Sequence, residues 1–257
     1  MFRVVIPARF GSTRLPGKSL KMIGGKPMLQ WVHEAGVAAG AAEVIIATDD
    51  ERILEAARDF GAQARMTSLT HPSGTDRIAE VAAAAGWDDE DIVVNLQGDE
   101  PLMPPALVGQ VAGLLEKHAD AAVATLAARI SSVAQLLDPG VVKVVADSQG
   151  RALYFSRAPV PWNRDTAPAS LVSQRSFAGA RRHIGLYAYR VAALQRLSML
   201  PPGQLEQIER LEQLRALEHR FEIRVADATA SPGPAVDTEE DLARVRTLMN
   251  RAEAPQP

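Results

Sequence analysis

The sequence predicts an α/β fold, a mostly parallel sheet flanked by helices. Two observations carry this prediction. From Phe2 to Ala127, short apolar strand-like patches alternate with helix-length stretches, the spacing a parallel crossover needs. The first patch also runs straight into a glycine-bearing loop, at the edge where open α/β sheets bind ligands. A chain of 257 residues fits one large domain of this class, with or without a small embedded lobe.

The elements follow in order. Residues 2–6, with Val4-Val5-Ile6 cut off by Pro7, read as a buried strand. Residues 29–39 read as a helix, and 44–47 as a strand ending in the polar turn Thr48-Asp49-Asp50. Residues 51–60 are helical with Gly61 as the stop, and 75–85 are helical up to Gly86. A strand over 92–96 precedes a helix over 104–118 with proline near its start, then a strand over 121–127. The second half is less regular. Strands over 141–145 and 152–155 flank the turn Asp147-Ser148-Gln149-Gly150, and 158–182 read as a long surface loop. A strand over 184–189, a helix over 204–217 and a strand over 221–225 follow. Asp237-Thr238-Glu239-Glu240-Asp241 opens a last helix to about Met249, with Thr or Asp as cap and acids in its first turn. Residues 251–257 read as a tail.

Composition narrows the function classes. The net charge of −3 argues against a nucleic-acid binder, which needs a strongly basic face. With no cysteine, disulfides, thiolate zinc sites and a cysteine nucleophile are excluded. No apolar run reaches the ~18 residues of a membrane span, and Arg3 and Arg9 bracket too short a stretch for a signal-peptide core. These features predict an intact, soluble, cytoplasmic protein with no membrane partner.

The chemistry gathers at strand ends. Pro7-Ala8-Arg9-Phe10-Gly11-Ser12-Thr13-Arg14-Leu15-Pro16-Gly17-Lys18-Ser19 combines glycines, hydroxyls and cations, a set suited to phosphate oxygens. It is not a P-loop. Five residues separate Gly11 from Gly17 where the Walker pattern has four, and Pro16 removes an amide. The strand over 92–96 runs into Gln97-Gly98-Asp99-Glu100-Pro101, where Asp99 is placed to hold Mg²⁺ against substrate phosphates or to cap a turn. His71-Pro72-Ser73-Gly74-Thr75-Asp76-Arg77 opens a helix, and capping alone explains Thr75 and Asp76. The five histidines lack metal-ligand spacing, and neither a Gly-x-Ser-x-Gly elbow nor a dinucleotide fingerprint is present.

These residues resemble one family. The opening loop, with Gly25-Lys26-Pro27-Met28, is similar to that of sugar nucleotidyltransferases. The segments from His71 to Arg77 and from Asn95 to Pro101 narrow the resemblance, as does Tyr154-Phe155-Ser156-Arg157. So do His183-Ile184-Gly185-Leu186-Tyr187, Leu211-Glu212-Gln213-Leu214-Arg215 and Val236-Asp237-Thr238. Together they resemble the 3-deoxy-manno-octulosonate (Kdo) cytidylyltransferases from Val4 to about Met249. The chain departs from that pattern at Ala235, where glycine is expected, and over residues 165–177.

The resemblance implies a Rossmann-like sheet of the nucleotide-diphospho-sugar transferase type. It implies a single nucleotidyltransferase domain over 1–250, with a smaller dimerisation lobe at about 150–200 and a homodimer. It implies Mg²⁺-dependent transfer of CMP from CTP to Kdo, for lipopolysaccharide assembly. The anomeric 2-hydroxyl attacks the α-phosphorus and pyrophosphate leaves. Carried over, Arg9, Ser12, Arg14 and Lys18 hold the triphosphate, and Ser73, Arg77 and Gln97 surround the cytidine. Arg157, His183, Tyr187, Glu212 and Gln213 line the sugar site; Asp99 and Asp237 hold the metal. Of these, Arg9, Arg14, Lys18, Asp99 and Asp237 carry the catalysis. Read alone, Tyr187 fits plain core equally well, and Glu212 and Gln213 a solvated helix face. A cytidylyltransferase for another sugar acid, such as a sialic acid or amino-Kdo, stays open, as more remotely does a non-catalytic nucleotide-binding protein.

Overall fold

A computed structural model describes residues 1–12, 14–165 and 176–253, the last three by their helical backbone alone. Its core is one sheet. Strand β1 (Phe2–Ala8) pairs in parallel with β4 (Val44–Thr48) on one side and β6 (Ile92–Asn95) on the other. Val4, Val5 and Ile6 expose no surface on either face, as a central parallel strand requires. A hairpin of β2 (Met22–Ile23) and β3 (Lys26–Pro27) stands apart, and β5 (Gln63–Met66) extends the parallel edge beyond β4. On the other side, β7 (Val123–Arg129) pairs in parallel with β11 (Ile223–Asp227). Between β6 and β7 lies β10 (Arg181–Arg190), antiparallel to both. A ladder of β8 (Lys143–Ala146) and β9 (Ala152–Ser156) joins β10 through Arg182 and Lys143.

Alternate residues of the strands feed two helical layers. One buries Val4, Ile6 and Ile46 against α1 (Met28–Ala38), α2 (Glu51–Asp59) and α4 (Pro105–Glu116). The other buries Val5, Val93 and Tyr187 against α3 (Gly74–Ala85), α6 (Val191–Met199) and α8 (Gln213–Glu218). A third apolar cluster joins Leu15, Ile23 and Met28 to Val236, Leu242 and Val245, fastening α9 (Glu239–Glu253) against the first loop. Two short helices, α5 (Val133–Leu137) and α7 (Gln204–Glu209), complete the described chain.

The mostly parallel sheet agrees with the expectation; β2, β3, β5, α5 and α6 were not foreseen, and several expected elements differ in extent. The helix expected over 204–217 is broken into α7 and α8, because Arg210 takes a left-handed conformation at φ +54. β10 begins at Arg181, inside the expected loop, and α6 begins directly at its end without a side-chain cap. The last helix continues to Glu253; residues 254–257 of the expected tail lie outside the described residues. Of the segment at about 150–200 expected as a lobe, β10 is a central strand of the main sheet and α6 packs on α3. Residues 166–175, most of the divergent loop, lie outside the described residues. Ala235 is not among the positive-φ residues, so it needs none of glycine's freedom.

β10 carries an irregularity between Ile184 and Tyr187, and a hydroxyl sits under it. Thr125 Oγ1 lies 3.1 Å from the Ile184 carbonyl, 2.9 Å from that of Leu186 and 2.9 Å from His183 Nε2. One hydroxyl proton serves one carbonyl at a time, so Nε2–H of a neutral His183 donates to Thr125. The imidazole packs edge-on to Phe155 and beside Tyr187. Burial pushes its pKa down to about 3. The unfolded imidazole takes its proton near pH 6.5, so between these values the unfolded state binds more protons. This contribution is therefore intact above about pH 6.5 and lost as pH falls. The residue keeps some contact with solvent, which trims the effect. From about pH 6.5 to about pH 5, His183→Gln is expected to lose about 1 kcal/mol less stability than wild type. Urea unfolding at both pH values checks this, and parallel losses in the two proteins contradict a neutral, enclosed imidazole.

Candidate active site

The loop after β1 folds back on itself. The amides of Ser12 and Gly17 both donate to the Phe10 carbonyl, and Gly17 at φ +64 permits the close return. A single 3₁₀ turn, Lys18–Leu20, then presents Lys18. The neighbouring loop after β6 lies against this one. A Cβ at Gly98 would come within 3.0 Å of the Pro7 carbonyl, so glycine is needed for the approach. Together the loops enclose a cleft of about 250 Å³ lined by Arg9, Ser12, Lys18, Gly74, Gln97 and Asp99. Arg9 is steadied by donating to the His71 carbonyl at 2.7 Å.

At one end of this cleft an ammonium bridges two carboxylates. Lys18 Nζ lies 2.5 Å from Asp99 Oδ2 and 3.1 Å from Asp237 Oδ1. Arg14 reaches the other oxygen of Asp237 at 3.0 Å. Burial pulls the Lys18 pKa down, but Asp99 and then Asp237 more than offset it, so the ammonium is held above its ordinary value. Asp237 is free for this because it does not cap the last helix. Thr238 and Asp241 do so reciprocally: Thr238 Oγ1 accepts from the Asp241 amide, and the Asp241 carboxylate from the Thr238 amide. The Val236 amide donates to the Asp99 carbonyl at 2.8 Å, drawing the two acidic segments together. Two carboxylates meeting at one cationic position form the oxygen donor set a hard divalent ion takes. Among the described residues no three His, Asp or Glu side chains cluster, so phosphate and water must supply the rest of such a shell.

A second chamber of about 180 Å³ adjoins the cleft, sharing Gly74 and Gln97 as its wall. Tyr187, Tyr189, Glu212 and Gln213 line it with Thr75 and Asn95. The Tyr187 hydroxyl is buried with no hydrogen-bond partner among the described residues, and burial raises its pKa well above the ordinary tyrosine value. Burial also raises the Glu212 carboxyl, partly countered by Thr75 and Arg215. Glu100, beside Asp99, is pushed up to about 7 by burial and by that neighbour's charge.

The structure thus brings Arg9, Ser12, Arg14, Lys18, Gln97, Asp99 and Asp237 to the cleft, and Tyr187, Glu212 and Gln213 to the chamber. Ser73, one residue before the shared wall residue Gly74, itself lines neither space. Its side chain closes a capping box with Asp76 at the start of α3, and it lies 3.3 Å from Glu212. Three further expected residues line neither space. Arg77 is fully buried beneath α3, donating to Asp49 at 2.6 Å and to the Thr67 hydroxyl. His183 lies under the sheet irregularity, behind Tyr187. Arg157 spends its guanidinium on the carbonyls of Glu209, Pro139 and Arg210. Sequence reasoning missed Thr75, Asn95 and Tyr189 as lining residues. Two signals were available. Asn95 is a polar residue at the end of a buried strand, and Tyr189 stands two residues from Tyr187 and so shares its face.

Known proteins resemble this chain over nearly its whole length. The family model described as cytidylyltransferase matches residues 3–223. A 3-deoxy-manno-octulosonate cytidylyltransferase of Thioalkalivibrio sulfidiphilus is 56% identical over 248 residues, covering 96% of this chain and 98% of that one. One of Halorhodospira halophila is 54% identical over 244 residues, covering 95% of each. A solved structure of CMP:2-keto-3-deoxy-manno-octonic acid synthetase complexed with CTP superposes with a TM-score of 0.88 at 44% identity, covering 98% of this chain and all of that one. A cytidylyltransferase from Leptospira borgpetersenii, with a TM-score of 0.63 at 17% identity, shares the fold. With motifs, cleft and relatives in agreement over nearly its whole length, the chain belongs to the 3-deoxy-manno-octulosonate cytidylyltransferase family.

Proposed function

We propose that this protein transfers CMP from CTP to 3-deoxy-D-manno-octulosonate, releasing pyrophosphate, with Mg²⁺ held between Asp99 and Asp237. The carrying observation is the meeting of Lys18, Asp99 and Asp237 at one end of a cationic cleft that adjoins a second chamber. Relatives more than half identical bear this activity as their name, and a structural relative is described as holding CTP. The reading includes the cytoplasm as the site of action, lipopolysaccharide assembly as the destination of CMP-Kdo, and a homodimer. Among the described residues no helix is long and apolar enough to cross a membrane.

The residues divide the work. Arg9, Ser12, Arg14 and Lys18 bind the triphosphate, with Lys18 leaving the acids to meet phosphate oxygens. When bound, the cation supplies charge neutralisation at the phosphates and at the departing pyrophosphate. Gln97 and Gly74, at the wall shared by the two spaces, orient the α-phosphate toward the chamber. Glu212, Gln213 and Tyr187 fix the sugar acid so that its 2-hydroxyl lies in line with that phosphorus. The oxygen forms the new P–O bond as the bond to pyrophosphate breaks, and the hydroxyl proton passes to solvent. Ser73 and Gln97 face the cytidine, and Arg77, tied to Asp49 and Thr67, anchors the first turn of the helix that Ser73 caps. Positioning and charge neutralisation suffice for such a transfer.

Pyrophosphate release across a panel of nucleoside triphosphates and sugar acids tests the reading. Turnover is expected with CTP and Kdo, and to be much lower with UTP, with a sialic acid or with amino-Kdo. Preference for another sugar acid changes the substrate, and no turnover with any pair overturns the enzyme.

Asp99→Asn and Asp237→Asn test the metal site. Both proteins are expected to fold, with turnover lower by about two orders of magnitude or more at ordinary magnesium. The Asp237 change should cost little stability, because Thr238 and not Asp237 caps the helix. Near-normal turnover of Asp237→Asn, measured beside its unfolding curve, contradicts a shared site.

A further inference from the structure

The chamber residues Glu212 and Gln213 stand where they do because a helix is interrupted. The pattern over 204–217 is helical, yet the chain leaves α7 after Glu209, turns left-handed at Arg210 with φ +54 and ψ +48, and re-enters a helix at Gln213. A side-chain-bearing residue in this conformation persists only where surrounding contacts hold it. On one side the hold comes from Arg215, which grips Glu206 through two bonds of 2.8 and 2.6 Å and donates to the Leu197 and Leu200 carbonyls. On the other side it comes from the end of β9. The Glu209 carboxylate accepts from Ser156 Oγ at 2.6 Å, from the Arg157 amide at 2.9 Å and from the Tyr154 hydroxyl at 3.4 Å. Arg157 answers by donating Nε to the Glu209 carbonyl at 2.7 Å and Nη2 to that of Arg210 at 3.5 Å, with Nη1 on Pro139 at 2.9 Å. Lys143 fixes Arg157 in turn, donating to its carbonyl at 2.6 Å.

We propose that Arg157 and Glu209 are positioning residues, a reciprocal clamp that holds the left-handed turn at Arg210 and so sets Glu212 and Gln213 in the sugar chamber. Arg157 then governs sugar-acid affinity without touching the sugar. The inference rests on the second chamber being the sugar site. A guanidinium suits this role because its planar fork spans two successive carbonyls of the turn, which a lysine ammonium cannot do. The carboxylate is equally committed. Burial raises the Glu209 pKa, but its donors from Ser156, Arg157 and Tyr154 outweigh this and hold it below the ordinary value. Loosening the turn displaces the chamber residues and leaves the triphosphate cleft, built from other loops, unchanged.

The test compares wild type, Arg157→Lys, Glu209→Gln and the double variant by pyrophosphate release and by hydrogen–deuterium exchange. Both single variants are expected to raise KM for Kdo by about tenfold or more, the scale of a misplaced positioning group. KM for CTP should stay within about twofold, and the double variant should be little worse than either single one, because the two residues act as one unit. Amide exchange over residues 210–214 should rise in all three while the sheet stays protected. A rise in sugar KM for Arg157→Lys alone, with Glu209→Gln normal, makes Arg157 a direct sugar contact and overturns the clamp. Unchanged exchange over 210–214 overturns it as well. Absence of wild-type turnover with Kdo sinks the functional reading instead, and the exchange measurement still decides whether the clamp exists.

Discussion

An ammonium between two carboxylates joins three stretches of chain that are far apart in sequence. Lys18 comes from the first loop, Asp99 from the end of a central strand and Asp237 from the approach to the last helix. Each is delivered by packing. Leu15, Ile23 and Met28 seal the loop against Val236, Leu242 and Val245, and the Val236 amide bonds to the Asp99 carbonyl. Without a cation at the centre, two carboxylates would face each other in a partly desolvated cleft, which is unfavourable. The folded state therefore needs positive charge there. The proposed phosphate chemistry would call on a cation at the same place, so one electrostatic requirement would serve both architecture and catalysis.

The second chamber depends on two breaks in regular structure. In β10 the irregularity over the Thr125 hydroxyl shifts the register just before Tyr187, and Tyr187 and Tyr189 line the chamber beyond it. In the helical region after Gly203, the turn at Arg210 brings Glu212 and Gln213 to the same space. Both breaks are stabilised by polar groups that touch neither cavity: His183 and Thr125 under one, Arg157 and Glu209 under the other. A site built this way is sensitive to residues behind its walls.

How much of this was legible in the sequence follows from the range of the interactions involved. Val4-Val5-Ile6 before a glycine loop announced a central strand and a ligand edge, because burial and turn chemistry are local. Asp99 was legible for the same reason, as an acid just past a buried strand. β5 was missed because Gln63–Met66 is short and carries polar residues, and its pairing to β4 is a tertiary fact. The break at Arg210 was invisible since Gln204–Leu217 has good helical periodicity and no glycine or proline, and the contacts that override it come from Arg215 and from the end of β9 with Arg157 just beyond it. The resemblance grouped Arg77, His183 and Arg157 with ligand-binding residues. The structure gives all three partners within the protein, and motif matching cannot separate a wall residue from one behind the wall.

The central claim is that Lys18 and a divalent cation compete for one position between Asp99 and Asp237. The most direct measurement is the magnesium-induced shift in melting temperature, without nucleotide, of wild type, Lys18→Met and Lys18→Met/Asp237→Asn. With the ammonium gone, the two carboxylates are left facing each other and the ion has no competitor. Magnesium should therefore stabilise Lys18→Met more than it stabilises wild type, and removing Asp237 should abolish that gain. Equal shifts in all three proteins would contradict a shared cation position.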